Sequence, residues 1–161
     1  MRDIKDLLRL RSRAFTAFTV VELLIVIIVI GGLSVYMAFS GIDIIMTSRA
    51  ASIVIDMQHI RTATMIYDRN EKPTATPNLH DIRTYLTSDS NFDALVENFS
   101  IEANNNDEWY VKYDFGNLGS MEKKSVAQKI SERATAAGLL AQLDEKATYN
   151  GKQYTVYMKI R

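Results

Sequence analysis

The chain opens in polar and basic residues, passes into a long apolar run, continues as a periodic amphipathic stretch and then breaks into short alternating segments. Residues 23–30 are Leu, Ile or Val without interruption, and across residues 18–39 the one side chain charged at neutral pH is Glu22. Those 22 residues would extend about 33 Å as a helix, enough for a bilayer core of about 30 Å. No proline interrupts residues 41–67, where Ile42, Met46, Ala50, Ile53, Met57, Ile60 and Tyr67 recur at helical spacing. A second stripe runs through Ile44, Ala51, Ile55 and Ile66. The pattern predicts one helix over residues 18–67, about 75 Å if unbroken. One stripe suffices to bury a helix against its own domain, so the second is expected to meet neighbouring copies; full wrapping by the chain's own domain is the alternative.

Beyond Asp68 the pattern changes. Residues 70–77 hold both prolines and read as a loop. Asn78 with Asp81, and Ser90 with Asp93, predict caps on two short helices at residues 79–86 and 91–97. Residues 99–103 and 108–115 alternate as strands, placing Trp109, Val111, Tyr113 and Phe115 on one face, with Asn104, Asn105, Asn106 and Asp107 as their connection. A helix is expected over residues 121–137, capped by Ser120, stopped by Gly138 and turning Val126, Ile130, Ala134 and Ala137 inward. Asn150-Gly151 signals a tight hairpin, and Tyr154, Val156, Met158 and Ile160 form the inner face of a last strand. The expected class is α+β: a small antiparallel sheet with helices, laid against the outer half of the long helix.

Charge orients this arrangement. Residues 1–17 carry five basic side chains (Arg2, Lys5, Arg9, Arg11, Arg13) against Asp3 and Asp6, a net of +3. By the positive-inside rule the N-terminus stays cytoplasmic and the chain beyond Phe39 is exported. The remaining 14 basic and 17 acidic residues make the exported part mildly acidic, which disfavours polyanion binding as its main role; no nucleic-acid site is evident. There is no cysteine, so no disulfide staples the exported domain.

Three fates compete for the N-terminus. Ala38-Phe39-Ser40 would serve as a signal-peptidase site, but the apolar run exceeds the roughly 7–15 residues of a signal h-region and has an acid near its start. An uncleaved signal anchor is the second. The third follows from the segment AFTVVELLIVIIVIGGL, residues 17–33, which closely resembles the N-terminal signature of type IV pilins and type II secretion pseudopilins. Phe18, Thr19, Glu22, Leu23 and Leu24 match that signature, Val20 and Val21 are aliphatic replacements, and Ala17 stands where the family usually has Gly. The resemblance implies removal of residues 1–17 by a prepilin peptidase between Ala17 and Phe18, and N-methylation of Phe18. The tripeptide Ala-Phe-Thr occurs twice, at residues 14–16 and 17–19. Cutting before Phe15 would put the new amine about 10 Å along the axis from Glu22, against about 6 Å for Phe18, so the second copy has the family spacing.

Glu22 is costly in hydrocarbon, on the order of 2.5–3.5 kcal/mol on insertion scales, and calls for a partner or a function. The family resemblance implies that it attracts the Phe18 amine of a neighbouring subunit and sets the stagger of assembly; the alternative is an incidental anchor at the headgroup interface. Gly31, Gly32 and Gly41 each weaken a helix by roughly 1 kcal/mol, making local stretching or close helix contact plausible. Gly31 falls where many pilins have a helix-loosening Gly, whereas the Pro that many carry further along is absent here.

Candidate chemistry is sparse. Asp56 and His59 are three apart on a helix, but His80, the other histidine, lies in a different segment, and a satisfied or solvated pair is the plainer reading. No Gly-rich phosphate loop or Ser-centred elbow occurs. Residues 104–108 offer oxygens that calcium could use, without an EF-hand pattern, and fit a polar turn equally well.

The resulting expectation is a non-enzymatic filament subunit without a cofactor, organised as leader (residues 1–17), transmembrane half-helix (18–40), amphipathic half-helix (41–69) and exported α+β domain (70–161). Its implied partners are other copies or other pilins, the prepilin peptidase, an assembly platform with its ATPase, and membrane lipid before assembly. Its implied location is the bacterial inner or plasma membrane, then an extracellular or periplasmic filament. Adhesion, motility, DNA uptake and protein secretion stay open, as do a minor pilin, a pseudopilin, or an uncleaved anchored domain that binds a ligand or acts as an enzyme.

Overall fold

A computed structural model describes residues 19–86, 92–143 and 147–161. Helix α1 runs unbroken over Val20–Glu71, and the chain divides after Gly41 into two compact units, the second being Ile42–Arg161. The expected bond between Ala17 and Phe18, the leader, and the Ser90 cap all lie outside the described residues.

Within the second unit, strands β1 (Phe99–Ala103), β2 (Trp109–Asp114), β3 (Leu139–Leu140) and β4 (Thr155–Lys159) form an antiparallel sheet in the order β1-β2-β4-β3. Two further helices, α2 (Phe92–Asn98) and α3 (Ser120–Ala137), complete it. The class is therefore α+β. Strand β2 is central, pairing Val111 with Ile101 on one side and with Met158 on the other. Its residues Trp109, Tyr110, Val111 and Tyr113 are buried, as a strand with a neighbour on each edge and a covered face requires. The core joins Trp109, Val111 and Tyr113 to Ile53, Met57 and Ile60 of α1, Val126, Ile130 and Ala134 of α3, and Phe115, Val156 and Met158. Burial of each such side chain is worth about 1.5–3 kcal/mol.

The first apolar stripe of α1 is the one that enters this core: Ala50, Ile53, Met57 and Ile60 are buried, joined by Val54 and Ala63. Ion pairs flank it, with Lys129 Nζ 3.1 Å from Asp43 Oδ1 and Arg49 against Glu122, tying α1 to α3. Ile42, at the start of the stripe, is exposed.

Several expectations need correction. The long helix ends at Glu71 rather than Tyr67, because nothing in residues 68–71 breaks it and Pro73 is the first residue unable to continue it. Residues 79–86 form turns and a single 3-10 turn, Arg83–Tyr85, instead of an α-helix. The capping chemistry at its start is nonetheless made: Asn78 Oδ1 accepts from the His80 and Asp81 N–H groups while Asp81 Oδ2 accepts from Asn78 N–H. In α3, Gly119 is the cap residue and Ser120 is already helical, whereas Gly138 closes the helix in the left-handed conformation (φ 66°), its N–H donating to Ala134 C=O. Asn150-Gly151 does make a turn, with Lys152 N–H donating to Asn150 Oδ1, but it does not join two paired strands. The partner of β4 on that side is the two-residue β3, too short to leave a period in the sequence. Tyr154 is exposed, so the inner face of the last strand begins at Val156.

Candidate functional site

Thr19 stands immediately before the first residue of α1, and three residues on stands Glu22. The Glu22 N–H donates to Thr19 Oγ1 at 3.2 Å, and the Glu22 carboxylate accepts in return from Thr19 N–H at 2.8 Å and Thr19 O–H at 2.9 Å. This is a reciprocal capping box, Thr-x-x-Glu, which satisfies two otherwise orphaned donors at the helix start. A negative side chain also complements the positive end of the helix dipole there. Both carboxylate bonds end on Oε2, so Oε1 takes part in neither. The Thr-x-x-Glu spacing was present in the sequence; reading Glu22 against a neighbour's amine or the headgroup interface missed it.

After the box, Val20, Val21, Leu23 and Leu24 are exposed, as are the large apolar side chains that follow as far as Phe39. This stretch is long and apolar enough to cross a membrane by length and composition. Helix α1 is continuous through Gly31 and Gly32, and a Cβ built at either meets no atom within 4 Å. Among the described residues no contact therefore demands glycine at these positions. Ser34 O–H donates back to Ile30 C=O at 2.8 Å, satisfying its hydroxyl in an apolar setting.

In the second unit, the other stripe of α1 stays uncovered: Ile44, Ile55 and Ile66 are 68%, 49% and 43% exposed, while Ala51 is partly covered. The chain's own domain does not wrap the helix.

Asp56 and His59 lie together on the wall of a cavity of about 300 Å³, bounded also by Ser52 and Ile53 of α1, Leu95 of α2, and Phe99 and Tyr113 of the sheet. Burial holds the Asp56 carboxyl above the ordinary carboxylate range, against the opposing pull of His59 and the Ser52 hydroxyl. His80 is elsewhere, edge-on to Phe92 at 5.2 Å. Among the described residues no group of three or more His, Cys, Asp or Glu is placed to hold a metal ion.

The acidic turn at residues 104–108 is internally bonded. Asn104 Oδ1 accepts from the N–H groups of Asn106 and Glu108, and Asp107 faces the Arg161 guanidinium at 3.4 Å. Glu108 takes bonds from Lys159, Tyr110 and Asn104, which together hold its carboxyl down at about 2. These oxygens bond within the hairpin and to Arg161 and Lys159 beside it.

No protein-family model, characterised protein or solved structure matches the chain.

Proposed function

We propose that this chain is a prepilin-like subunit of a type IV filament or a related pseudopilus, held in the membrane by the apolar part of α1, cut between Ala17 and Phe18, N-methylated at Phe18 and polymerised through α1. The role is structural, with no reaction carried by the exported domain. The observation that carries the reading is a single carboxylate, Glu22, at the head of an uninterrupted apolar helix whose side chains remain exposed, four residues beyond Phe18. The pilin-type signature over residues 17–33 and the uncovered Ile44, Ile55 and Ile66 add to it. A helix with one face in its own core and apolar residues on another is built to be covered a second time, here by the same helix of other subunits.

In this reading the capping box is the resting state of Glu22 in the membrane. The cap satisfies the carboxylate through Oε2 until the Phe18 amine of a neighbouring copy approaches Oε1. The same box also favours a second reading, an uncleaved anchor, because a carboxylate satisfied within its own first turn needs no neighbour. Mass spectrometry of the mature N-terminus separates the two. An N-methylated Phe18 is expected; an intact Met1 or a start at Gly41 overturns the filament reading. Recovery of the subunit in sheared surface filaments distinguishes a major pilin from a minor pilin or pseudopilin.

A further inference from the structure

Five carboxylate side chains are partly buried among the described residues: those of Asp56, Asp68, Glu102, Glu108 and Glu122. Four of them meet a cation, Asp68 with Arg161, Glu102 with Lys112, Glu108 with Lys159 and Glu122 with Arg49. Asp56 has no Lys, Arg or His nitrogen within 4 Å among the described residues, and its hydrogen bond from Ser52 Oγ is long, 3.5 Å. A carboxylate withdrawn from water without a cation is an expensive arrangement, and this one opens into a cavity rather than against packed side chains.

The rest of the wall narrows the chemistry of what would complete it. Ile53, Leu86, Leu95 and the ring of Phe99 are apolar, and Phe99 lies 4.9 Å from Tyr113, ring centre to ring centre. The Asn98 amide on the rim is already committed, donating to Ala94 C=O at 3.0 Å and accepting from Asn117 at 3.0 Å. Among the described residues that line the cavity there is no Lys or Arg, and His59 is the one basic side chain. An anion would meet the Asp56 carboxylate with His59 alone to oppose it, and a wholly apolar guest would leave that carboxylate without a close partner. The volume, about 300 Å³, falls at the lower end of small-molecule sites, about 300–1,000 Å³.

We infer that this cavity binds a small aliphatic ammonium ion, its charged head on Asp56 and Ser52 and its carbon stem against Ile53, Leu95 and Phe99. Burial raises the Asp56 carboxyl against the opposing pull of His59, in keeping with a carboxylate that no cation touches within 4 Å among the described residues. The inference rests on the second unit alone and does not depend on the filament reading.

The test uses the full-length chain in detergent micelles, titrated with n-butylammonium chloride and, separately, with the near-isosteric n-butanol and with sodium butyrate. Saturable chemical-shift changes at Ile53, Leu95 and Phe99 with n-butylammonium, at least tenfold tighter than with n-butanol and absent with butyrate, are expected. Asp56→Asn, nearly equal in shape, is expected to weaken n-butylammonium at least tenfold, whereas Asp43→Asn, on an exposed and already paired carboxylate, leaves it unchanged. Equal binding of n-butanol, no saturable binding of n-butylammonium, or a folded Asp56→Asn chain that binds it undiminished overturns the inference. Should Asp56→Asn fail to fold, the comparison of n-butylammonium with n-butanol on the unaltered chain decides alone.

Discussion

Thr19 and Glu22 cap each other: each side chain accepts the other's backbone N–H, so the first turn of α1 closes before any second molecule is involved. The cap and the charge of Glu22 are therefore separable by substitution. Thr19→Ala removes the cap and is expected to cost about 0.5–2 kcal/mol at the helix start, read as faster amide exchange of the first turn in micelles. Glu22→Gln keeps an acceptor for Thr19 but removes the charge. It is expected to preserve that turn and membrane insertion while reducing or misregistering assembly, scored by sheared filament yield. Normal assembly of Glu22→Gln would leave Glu22 as a cap and nothing more.

Ile55 and Met57 stand two apart on α1 and meet opposite fates, one about half exposed and the other fully buried. Met57→Ala is expected to destabilise the second unit by about 2–5 kcal/mol, seen in denaturant unfolding. Ile55→Asp is expected to change that unfolding by no more than about 0.5 kcal/mol yet to abolish filament recovery. Assembly unaffected by Ile55→Asp would remove the second stripe from any interface.

Gly151 has φ 78°, and a Cβ there would lie 3.1 Å from Ala127 C=O and 3.2 Å from Ser131 Oγ on α3. Both the backbone conformation and the close approach call for glycine. Gly151→Ala is expected to lower stability by about 1–2 kcal/mol from the left-handed conformation alone, before any displacement of α3. Thermal unfolding followed by circular dichroism measures it.

Glu108 sets part of the acid limit of the second unit. Its folded carboxyl titrates at about 2, below the ordinary 4.5, because Lys159, Tyr110 and Asn104 bond the charged form. A depressed carboxyl stabilises the fold above its unfolded value, and that contribution fades as pH falls from about 4.5 and is gone below about 2. Glu108→Gln is expected to flatten the stability profile across that window while the profile at higher pH keeps its shape. An unchanged acid limb in the variant would show that these bonds do not persist in solution.

Where the sequence could be read, the signal was a repeated local pattern. The alternation at residues 99–103 and the Asn-rich connection predicted the β1–β2 hairpin, and the left-handed stop at Gly138 was legible because a glycine ends a periodic run. Ser120 looked like a cap because caps favour its chemistry, yet Gly119 occupies that place; a helix boundary shifts by one residue at little local cost. The Asn150-Gly151 turn was recognised and its role misread, since whether a tight turn joins paired strands depends on what lies beside it. As for the candidate site, the Thr-x-x-Glu spacing made the cap of Glu22 legible, whereas the cavity beside Asp56 was not, since it is assembled from residues far apart in sequence.

By itself the sequence determined the long apolar helix, the basic residues that precede it, the α+β alternation and the carboxylate at the helix head, because each is a matter of composition or of period along the chain. Only the tertiary structure decided which stripe of α1 is covered, that β4 pairs with the two-residue β3, and that Asp56 lines a cavity with no cation within 4 Å of it among the described residues. Those outcomes depend on contacts between residues far apart in sequence. Several packings satisfy the same local pattern, and side-chain burial in one shared core selects among them.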